Sequence, residues 1–434
     1  VTGIVLAAPA SGSGKTTVTL GLLRAWRRKG VAVRAAKSGP DYIDPRFHEA
    51  ACGAPCVNLD AWAMGKARLR SLAAGDGPLV VEGAMGLFDG APPEGRGSTA
   101  DLARVLGLPV VLLVDAGRMA QSVGPLVAGF ARHDPRLRVA GVILNRVGSE
   151  RHRAMLTRAV EAVGLPVLGA LPRAVGLAHP SRHLGLVQAE ERPDLEEFLD
   201  RAASFVEQYV DLDALAHVMA GGPWSEQALR LPPPAQRIAV ARDAAFAFAY
   251  PHLLADWRAQ GAEIATFSPL GDEAVPDAGL VVLPGGYPEL HAGRLAAAET
   301  FMKSLIHAAQ FTNIYGECGG YMVLGEVIVD ANGTAHQMTG LLGLETSFAT
   351  RRLHLGYRHV EAGSGPFPGR WAAHEFHYAT TLRAEGEPLF RAWDAEGVEL
   401  TPMGLRRGRV AGSFAHLIDR ADGLDAGAGL GNGS

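Results

Sequence analysis

Two short segments of this sequence carry residue types whose spacing suits chemistry. The first, Ala8-Pro9-Ala10-Ser11-Gly12-Ser13-Gly14-Lys15-Thr16-Thr17, follows an Ile/Val/Leu run and opens a helical pattern. Glycines let backbone N–H groups curl around phosphate oxygens. Lys15 places a point charge near β- and γ-phosphates, and the Thr16 hydroxyl can hold Mg²⁺. Ser11, Gly12, Ser13, Gly14, Lys15, Thr16 and Thr17 are therefore candidate ATP-binding residues. Pro9 stands where the usual G-x4-G-K-T spacing has its first glycine. The second segment, Tyr315-Gly316-Glu317-Cys318-Gly319-Gly320, has the form G-x-C-x-G. Small residues on either side of a nucleophile permit the tight strand-to-helix turn that presents it. A helix N-terminus after Cys318 is expected to lower the thiol pKa. Pro284-Gly285-Gly286-Tyr287 offers the backbone N–H groups of Gly285 and Gly286 as an oxyanion hole. His416 is the candidate base for Cys318.

Further polar residues follow other apolar runs, where ligands of such sheets bind. Lys37 and the stretch Pro40-Asp41-Tyr42-Ile43-Asp44-Pro45 put one cation and two carboxylates on one loop. Lys37 is assigned to ATP; Asp41, Tyr42 and Asp44 are assigned to a substrate. Glu82 follows the next run and, with Thr16, forms the candidate Mg²⁺ pair. Asn145 ends another run and is placed against an adenine edge. Turn chemistry explains Asp44 or Asp89 equally well when each is taken alone. His374-Glu375-Phe376-His377 lacks the H-E-x-x-H zinc spacing and is expected to be a loop or strand motif at a domain interface. Cys52 and Cys56 are expected to be small, partly buried thiols.

These groups need a scaffold. Ile4 to Ala8, Ala32 to Ala36, Leu79 to Val81, Val110 to Val114 and Val139 to Leu144 are continuous apolar runs. Such runs suit strands buried on both faces of a parallel sheet. Thr16 to Arg28 and Ala120 to Arg132 are long enough for crossover helices, and Pro193 to Ala220 reads as a helical closing segment. The proline cluster Pro232-Pro233-Pro234 ends this pattern. A second α/β unit restarts at Ile238, with strands expected at Ile264 to Phe267, Leu280 to Leu283, Phe311 to Tyr315 and Gly412 to Ala415. The fold class is α/β throughout. The expected division is a phosphate-loop domain over 1–220, a linker over 221–236, a second domain over 237–420 and a flexible tail over 421–434.

Composition narrows the function. Of 434 residues, 48% are hydrophobic, enough for packed cores. Lys plus Arg is 41 and Asp plus Glu is 45, a net charge of −4. That balance argues against nucleic acid and anionic membrane as partners. Three cysteines form no disulfide framework and fit a reducing cytoplasm. No apolar run is long enough to span a membrane.

Taken together, these segments resemble the cobyrinic and hydrogenobyrinic acid a,c-diamide synthases of cobalamin biosynthesis. The resemblance rests on Ala8 to Thr17, Gly39 to Pro45, Val81 to Gly90, Arg182 to Leu186, Gly316 to Tyr321, His374 to Tyr378 and Gly412 to His416. It implies a dethiobiotin-synthetase-like phosphate-loop domain joined to a class I glutamine amidotransferase domain. It implies ATP- and glutamine-dependent amidation of the a- and c-acetates of a corrinoid, in the order c then a. Ordinary class I glutaminases place a Glu two residues after the His; here that position is Ile418, and the family uses a Cys–His pair. The group that orients His416 is left open. Hydrogenobyrinic acid is the expected substrate. Cobyrinic acid and nickel sirohydrochlorin are alternatives, and a ParA-like partition or scaffold ATPase is the non-enzymatic one. A homodimer is the expected assembly, dimers being commonest.

Overall fold

Apolar runs without polar alternation must be covered on both faces, and in the computed structural model of the chain they form the interior of two sheets. The structure describes residues 2–174, 176–177, 181–182, 185–186, 188–222, 224 and 230–423. Contacts divide the chain into Val1–Ala228 and Leu229–Ser434. Parts of the expected linker (223 and 225–229) and tail (424–434), and His183 and Leu184, lie outside the described residues.

The first unit runs β1 (Gly3–Ala7), α1 (Lys15–Arg28), β2 (Arg34–Ser38), α2 (Asp44–Cys52), β3 (Val57–Leu59), α3 (Lys66–Ala73) and β4 (Leu79–Glu82). It continues with α4 (Thr99–Leu106), β5 (Val110–Asp115), α5 (Val123–His133), β6 (Val139–Val147), α6 (Glu150–Glu161) and β7 (Val167–Pro172). A short hairpin of β8 (Ser181–Arg182) and β9 (Gly185–Leu186) precedes α7 (Leu195–Tyr209) and α8 (Leu212–Val218). The seven-stranded sheet has the order β3-β2-β4-β1-β5-β6-β7, and its paired strands are all parallel. The chain builds outward from β1 on one side, returns through β4, and continues on the other. Ligands of open α/β sheets bind where strand order reverses in this way, and the loop after β1 lies there.

Helix α1 explains why that loop is rigid. Leu20, Leu22, Leu23 and Trp26 are buried in the core shared with Phe198, Ala203 and Val206 of α7. Each fully buried Leu contributes about 1.5–3 kcal/mol. Gly14 caps the helix at φ 92° with no side-chain hydrogen bond. The first-turn N–H groups are therefore left for a ligand rather than for a cap.

The second unit begins with β10 (Arg237–Ala241), α9 (Pro251–Ala259), β11 (Glu263–Phe267), β12 (Leu280–Leu283), α10 (Ala292–Ala296), α11 (Glu299–Ala308), β13 (Asn313–Glu317) and α12 (Gly319–Leu324). It ends with β14 (Val327–Val329), β15 (Ala335–Gln337), β16 (Gly343–Ser347), β17 (His354–Ala362), β18 (Gly369–His377), β19 (Thr380–Glu385), β20 (Glu387–Asp394), β21 (Glu399–Arg407), β22 (Val410–Ser413) and β23 (Ala415–Arg420). The large sheet has the order β11-β10-β12-β13-β22-β21-β20-β17-β18-β23. Its first five strands pair in parallel and the remainder antiparallel. A four-stranded sheet, β15-β14-β16-β19, lies beside them in the chain.

Two strand expectations shift. The strand expected at Phe311 to Tyr315 begins at Asn313 and carries through Glu317, because the Phe311 N–H closes the preceding helix on the Ala308 carbonyl. The strand expected at Gly412 to Ala415 breaks at Phe414. There the chain leaves the side of β13 and continues beside β18.

Candidate functional site

The loop after β1 closes on a cavity of about 800 Å³. Ser11, Gly12, Gly14, Lys15, Thr16, Thr17, Lys37, Asp41, Asp44, Glu82 and Asn145 are among the residues that line it. Ser13 and Tyr42 are not. The Ser13 hydroxyl turns back and donates to the Ala10 carbonyl at 2.8 Å, holding the loop's own shape. A Cβ on Gly14 would stand 2.5 Å from Asn145 Nδ2, so its left-handed backbone and the approach of Asn145 both require glycine.

Below the loop lies a buried ionic cluster. Lys37 Nζ donates to Asp44 Oδ2 and, at 2.9 Å, to Glu82 Oε1. Thr16 Oγ1 donates to Glu82 Oε1 at 2.8 Å and is 3.4 Å from Asp44 Oδ2. His48 Nε2 lies 2.7 Å from the other Glu82 oxygen, and the Cys56 sulfur lies 3.6 Å from His48 Nδ1. Burial alone would lower the Lys37 pKa, but Asp44, Glu82 and Asp41 outweigh it and hold the ammonium well above its usual range. Burial would raise Glu82, yet Lys37 and His48 keep its carboxyl below the usual range. Burial and the Asp44 charge push Asp41 up to about 6. Its side chain keeps 31% exposure, so water moderates that rise. Burial lowers Lys15, whose Nζ donates to the Met85 carbonyl at 2.6 Å.

Three sequence assignments change here. Asp44, expected on a substrate-facing loop, opens α2, is 4% exposed, and stands among Thr16, Lys37 and Glu82. Asn145, expected at an adenine edge, donates from Nδ2 to the Ser13 carbonyl at 2.8 Å and accepts the Arg146 N–H at 2.9 Å, so its amide fastens the loop. Tyr42 lies outside the cavity lining because the turn built by Asp41 Oδ1, which accepts the Ile43 and Asp44 N–H groups, carries the chain directly into α2. His48, Arg146 and the Met85 carbonyl were not singled out. Only the i+4 spacing of His48 from Asp44 on one helix face could have pointed to it.

The implied Mg²⁺ fits this donor set. Thr16, Asp44 and Glu82 offer a hydroxyl and two carboxylates, the hard oxygen ligands that ion prefers. Asp44 Oδ1 is buried without a hydrogen-bond partner among the described residues, an acceptor that a cation would satisfy.

In the second unit, Cys318 sits at the junction of β13 and α12 with φ 45° and ψ −99°, a strained backbone flanked by Gly316, Gly319 and Gly320. A Cβ on Gly320 would stand 1.9 Å from the Leu283 carbonyl, so the turn closes only with glycine there. The Cys318 N–H donates to the Ser413 carbonyl at 2.8 Å, tying the elbow to β22. The thiol lies 3.9 Å from the Phe376 carbonyl. A Cβ on Gly319 would stand 3.0 Å from the Gly286 N, which puts that amide beside the elbow. Gly285 has a further role: a Cβ on it would stand 2.3 Å from His416 Cε1. The expected lowering of the Cys318 pKa is not what the structure gives. Burial and the Glu289 carboxylate raise it, and the Gly319 N–H opposes them only in part. The six-residue α12 supplies too little field to reverse this.

His416 is 1% exposed, and its Nδ1 lies 3.6 Å from Glu317 Oε2. Across the β18–β23 pair it faces His374, whose pKa burial and the His416 charge lower to about 3. His374-Glu375-Phe376-His377 forms the end of β18. There His354, Glu375 and His377 bring three potential ligand atoms within 4.8 Å of one another. The two imidazoles stack at 4.5 Å with 6° between their planes, so their lone pairs run side by side rather than converging. Arg358 holds Glu375 at 2.8 Å. The group is an ion-pair and stacking network, not a coordination sphere.

Among the described residues no helix is long and apolar enough to cross a membrane. Residues 4–187 match the family model described as the CobQ/CobB/MinD/ParA nucleotide binding domain. Residues 237–423 match the CobB/CobQ-like glutamine amidotransferase domain. The chain is 55% identical over 435 residues to a hydrogenobyrinate a,c-diamide synthase of Brucella anthropi, covering 96% of this chain and 98% of that protein. It is 53% identical over 428 residues to the Rhodobacter capsulatus enzyme of the same name, covering 96% and 98%. It is 56% identical over 434 residues to one from Sinorhizobium sp, covering 97% and 99%.

Proposed function

The chain belongs to the hydrogenobyrinate a,c-diamide synthase family, and from that premise we propose that it converts the a- and c-acetate carboxylates of hydrogenobyrinic acid to amides, with glutamine as nitrogen donor and ATP as energy source. The observation that carries this reading is the presence in one chain of both sets of groups: the Lys15–Thr16 loop over a buried carboxylate pair, and in the second unit the strained Cys318 elbow and the buried His416.

The loop N–H groups and Lys15 bind the triphosphate. A carboxylate oxygen of the corrinoid attacks the γ-phosphorus, ADP leaves, and an acyl phosphate forms. Lys15 offsets the charge that develops on the transferring oxygens. Thr16, Asp44 and Glu82 would hold Mg²⁺, which when bound neutralises charge on the β- and γ-phosphates. Lys37 donates to the same two carboxylates from below, and with His48 it holds the Glu82 carboxyl below its usual range. Asp41, which lines the cavity, is the substrate-side residue of this reading.

In the second centre the Cys318 sulfur attacks the side-chain carbonyl of glutamine. His416 takes the thiol proton and returns it to the departing ammonia, leaving a thioester that water hydrolyses to glutamate. The N–H groups of Gly285 and Gly286 are assigned to the oxyanion, and the Gly286 N lies where a Cβ on Gly319 would stand 3.0 Å from it. Ammonia then displaces phosphate from the acyl phosphate to give the amide. The same reading places the enzyme in the cytoplasm, as a homodimer.

The test is incubation with ATP, Mg²⁺, glutamine and either metal-free or cobalt-containing corrinoid, followed by product mass. Two carboxyl-to-amide conversions on the metal-free acid are expected. The same conversions on the cobalt form alone would move the assignment to cobyrinic acid, and conversion of neither would end it. Cys318→Ser is expected to lose use of glutamine but keep use of added ammonia, and Lys15→Ala to lose both.

A further inference from the structure

A base that receives a proton from a buried thiol becomes a buried cation, and burying an unpaired cation is costly. His416 meets this problem, being 1% exposed. Its own strand gives it no carboxylate on that face, since the next residue with the same orientation is Ile418. The groups packed around the ring come from other elements. Gly285 after β12 presses on Cε1, His374 of β18 faces it across the strand pair, and Glu317 of β13 lies against Nδ1.

We propose that Glu317, the residue immediately before the nucleophile, is the positioning residue of His416 and the counter-ion of the imidazolium formed during glutamine hydrolysis. This rests on the glutaminase reading above and supplies the member that reading lacks.

Three observations carry it. Glu317 Oε2 lies 3.6 Å from His416 Nδ1, and both side chains are buried. The other carboxylate oxygen accepts the Leu417 N–H at 3.1 Å, which pins Glu317 to the residue next to His416 and fixes its direction. Glu317 and Cys318 are adjacent on one strand-to-turn junction, so one backbone segment places both nucleophile and counter-ion.

The gap of 3.6 Å is longer than a hydrogen bond, so at rest the carboxylate acts through its field. That field disfavours the thiolate, as it does for any buried acid beside an anion. It favours the imidazolium for the same reason. The proton therefore stays on sulfur until substrate is attacked, and then passes to His416 with Nδ1–H directed at Glu317. Balance is kept: the S–C bond forms, the C–N bond breaks, and the proton goes from sulfur through His416 to ammonia.

Glu317→Gln in the full chain separates charge from shape, because its amide oxygen still accepts the Leu417 N–H. Glutamate release is measured at neutral pH in the presence of Mg²⁺ and ATP. A fall in kcat of at least about tenfold is expected, with KM for glutamine within about twofold. Glu317→Asp should recover part of the loss. An active wild type with an unimpaired Glu317→Gln overturns this inference alone. So does an equal loss in Glu317→Gln and Glu317→Asp accompanied by a matching fall in the unfolding midpoint, which would mark a structural role. A wild type that releases no glutamate overturns the glutaminase reading and this inference with it.

Discussion

Gly285 and His416 share a space that only one side chain can fill: a Cβ on Gly285 would stand 2.3 Å from His416 Cε1. Real Cβ atoms do not approach so closely, so Gly285→Ala must displace either the ring or the backbone after β12. A shift of about 1 Å in a catalytic base costs on the order of a hundredfold in rate. Gly285→Ala is expected to lose glutamine-dependent amidation by that order while retaining activity with added ammonia. A variant that hydrolyses glutamine at the wild-type rate would show that the ring is not held where the reaction needs it.

Lys37 is the one cation that touches both Asp44 and Glu82 among the described residues. Those carboxylates are 4% and 1% exposed, so removing the ammonium leaves buried negative charge. Breaking a buried pair in this way costs about 3–5 kcal/mol. Lys37→Met should lower stability by that amount in urea unfolding at neutral pH. His48 compensates only one oxygen of Glu82. A loss below about 1 kcal/mol would mean that the carboxylates take up protons and that the cluster is not ionic as described.

The parallel sheets were legible because burial on both faces removes polar alternation, and runs such as Val110 to Val114 are hard to place elsewhere. The phosphate loop and the cysteine elbow were legible because glycines at fixed offsets serve backbone geometry. The strands β14 to β21, antiparallel except where β14 pairs with β16, were not. Their burial follows neither a continuous apolar run nor a clean alternation, and polar groups such as Arg391 in β20 and Glu361 in β17 look like loop composition in sequence. The side chains that define each site's electrostatics were hidden for another reason. Asp44 meets Thr16 across 28 positions, and Glu317 meets the Leu417 N–H across 100, distances that no local spacing encodes. The pKa of Cys318 was misjudged because a helix terminus is visible in sequence and burial is not.

Asp44 Oδ1 is an acceptor without a hydrogen-bond partner among the described residues, beside the Thr16 hydroxyl. A carboxylate kept unsatisfied in a buried place is costly unless a cation joins it. Asp44→Asn preserves shape and removes half of the charge that Asp44 and Glu82 offer. Affinity for a fluorescent ATP analogue in the presence of Mg²⁺ should fall about 10–100-fold, with little change in its absence. Equal weakening with and without Mg²⁺ would place Asp44 on the nucleotide itself.

His374 makes the second unit's stability depend on pH. Burial, then the neighbouring His416 and Arg358, lower its pKa from 6.5 to about 3. Between those values the unfolded chain binds a proton that the native ring refuses. Stability therefore falls as pH drops through 6.5 toward 3 and is unaffected by this group above that window. From pH 7 to pH 5 the loss attributable to His374 is roughly 2 kcal/mol. Asp41 in the first unit works the other way, since its raised carboxyl pKa stabilises the native state as pH falls through about 6. The wild-type curve alone mixes the two, so the measurement is the difference from His374→Gln, which keeps Asp41. Urea unfolding followed through the tryptophans of the second unit, at steps from pH 7 to pH 5, should give a flatter dependence for His374→Gln by that amount. Parallel curves would mean that His374 takes up its proton in the native state, and that its place opposite His416 is open to water.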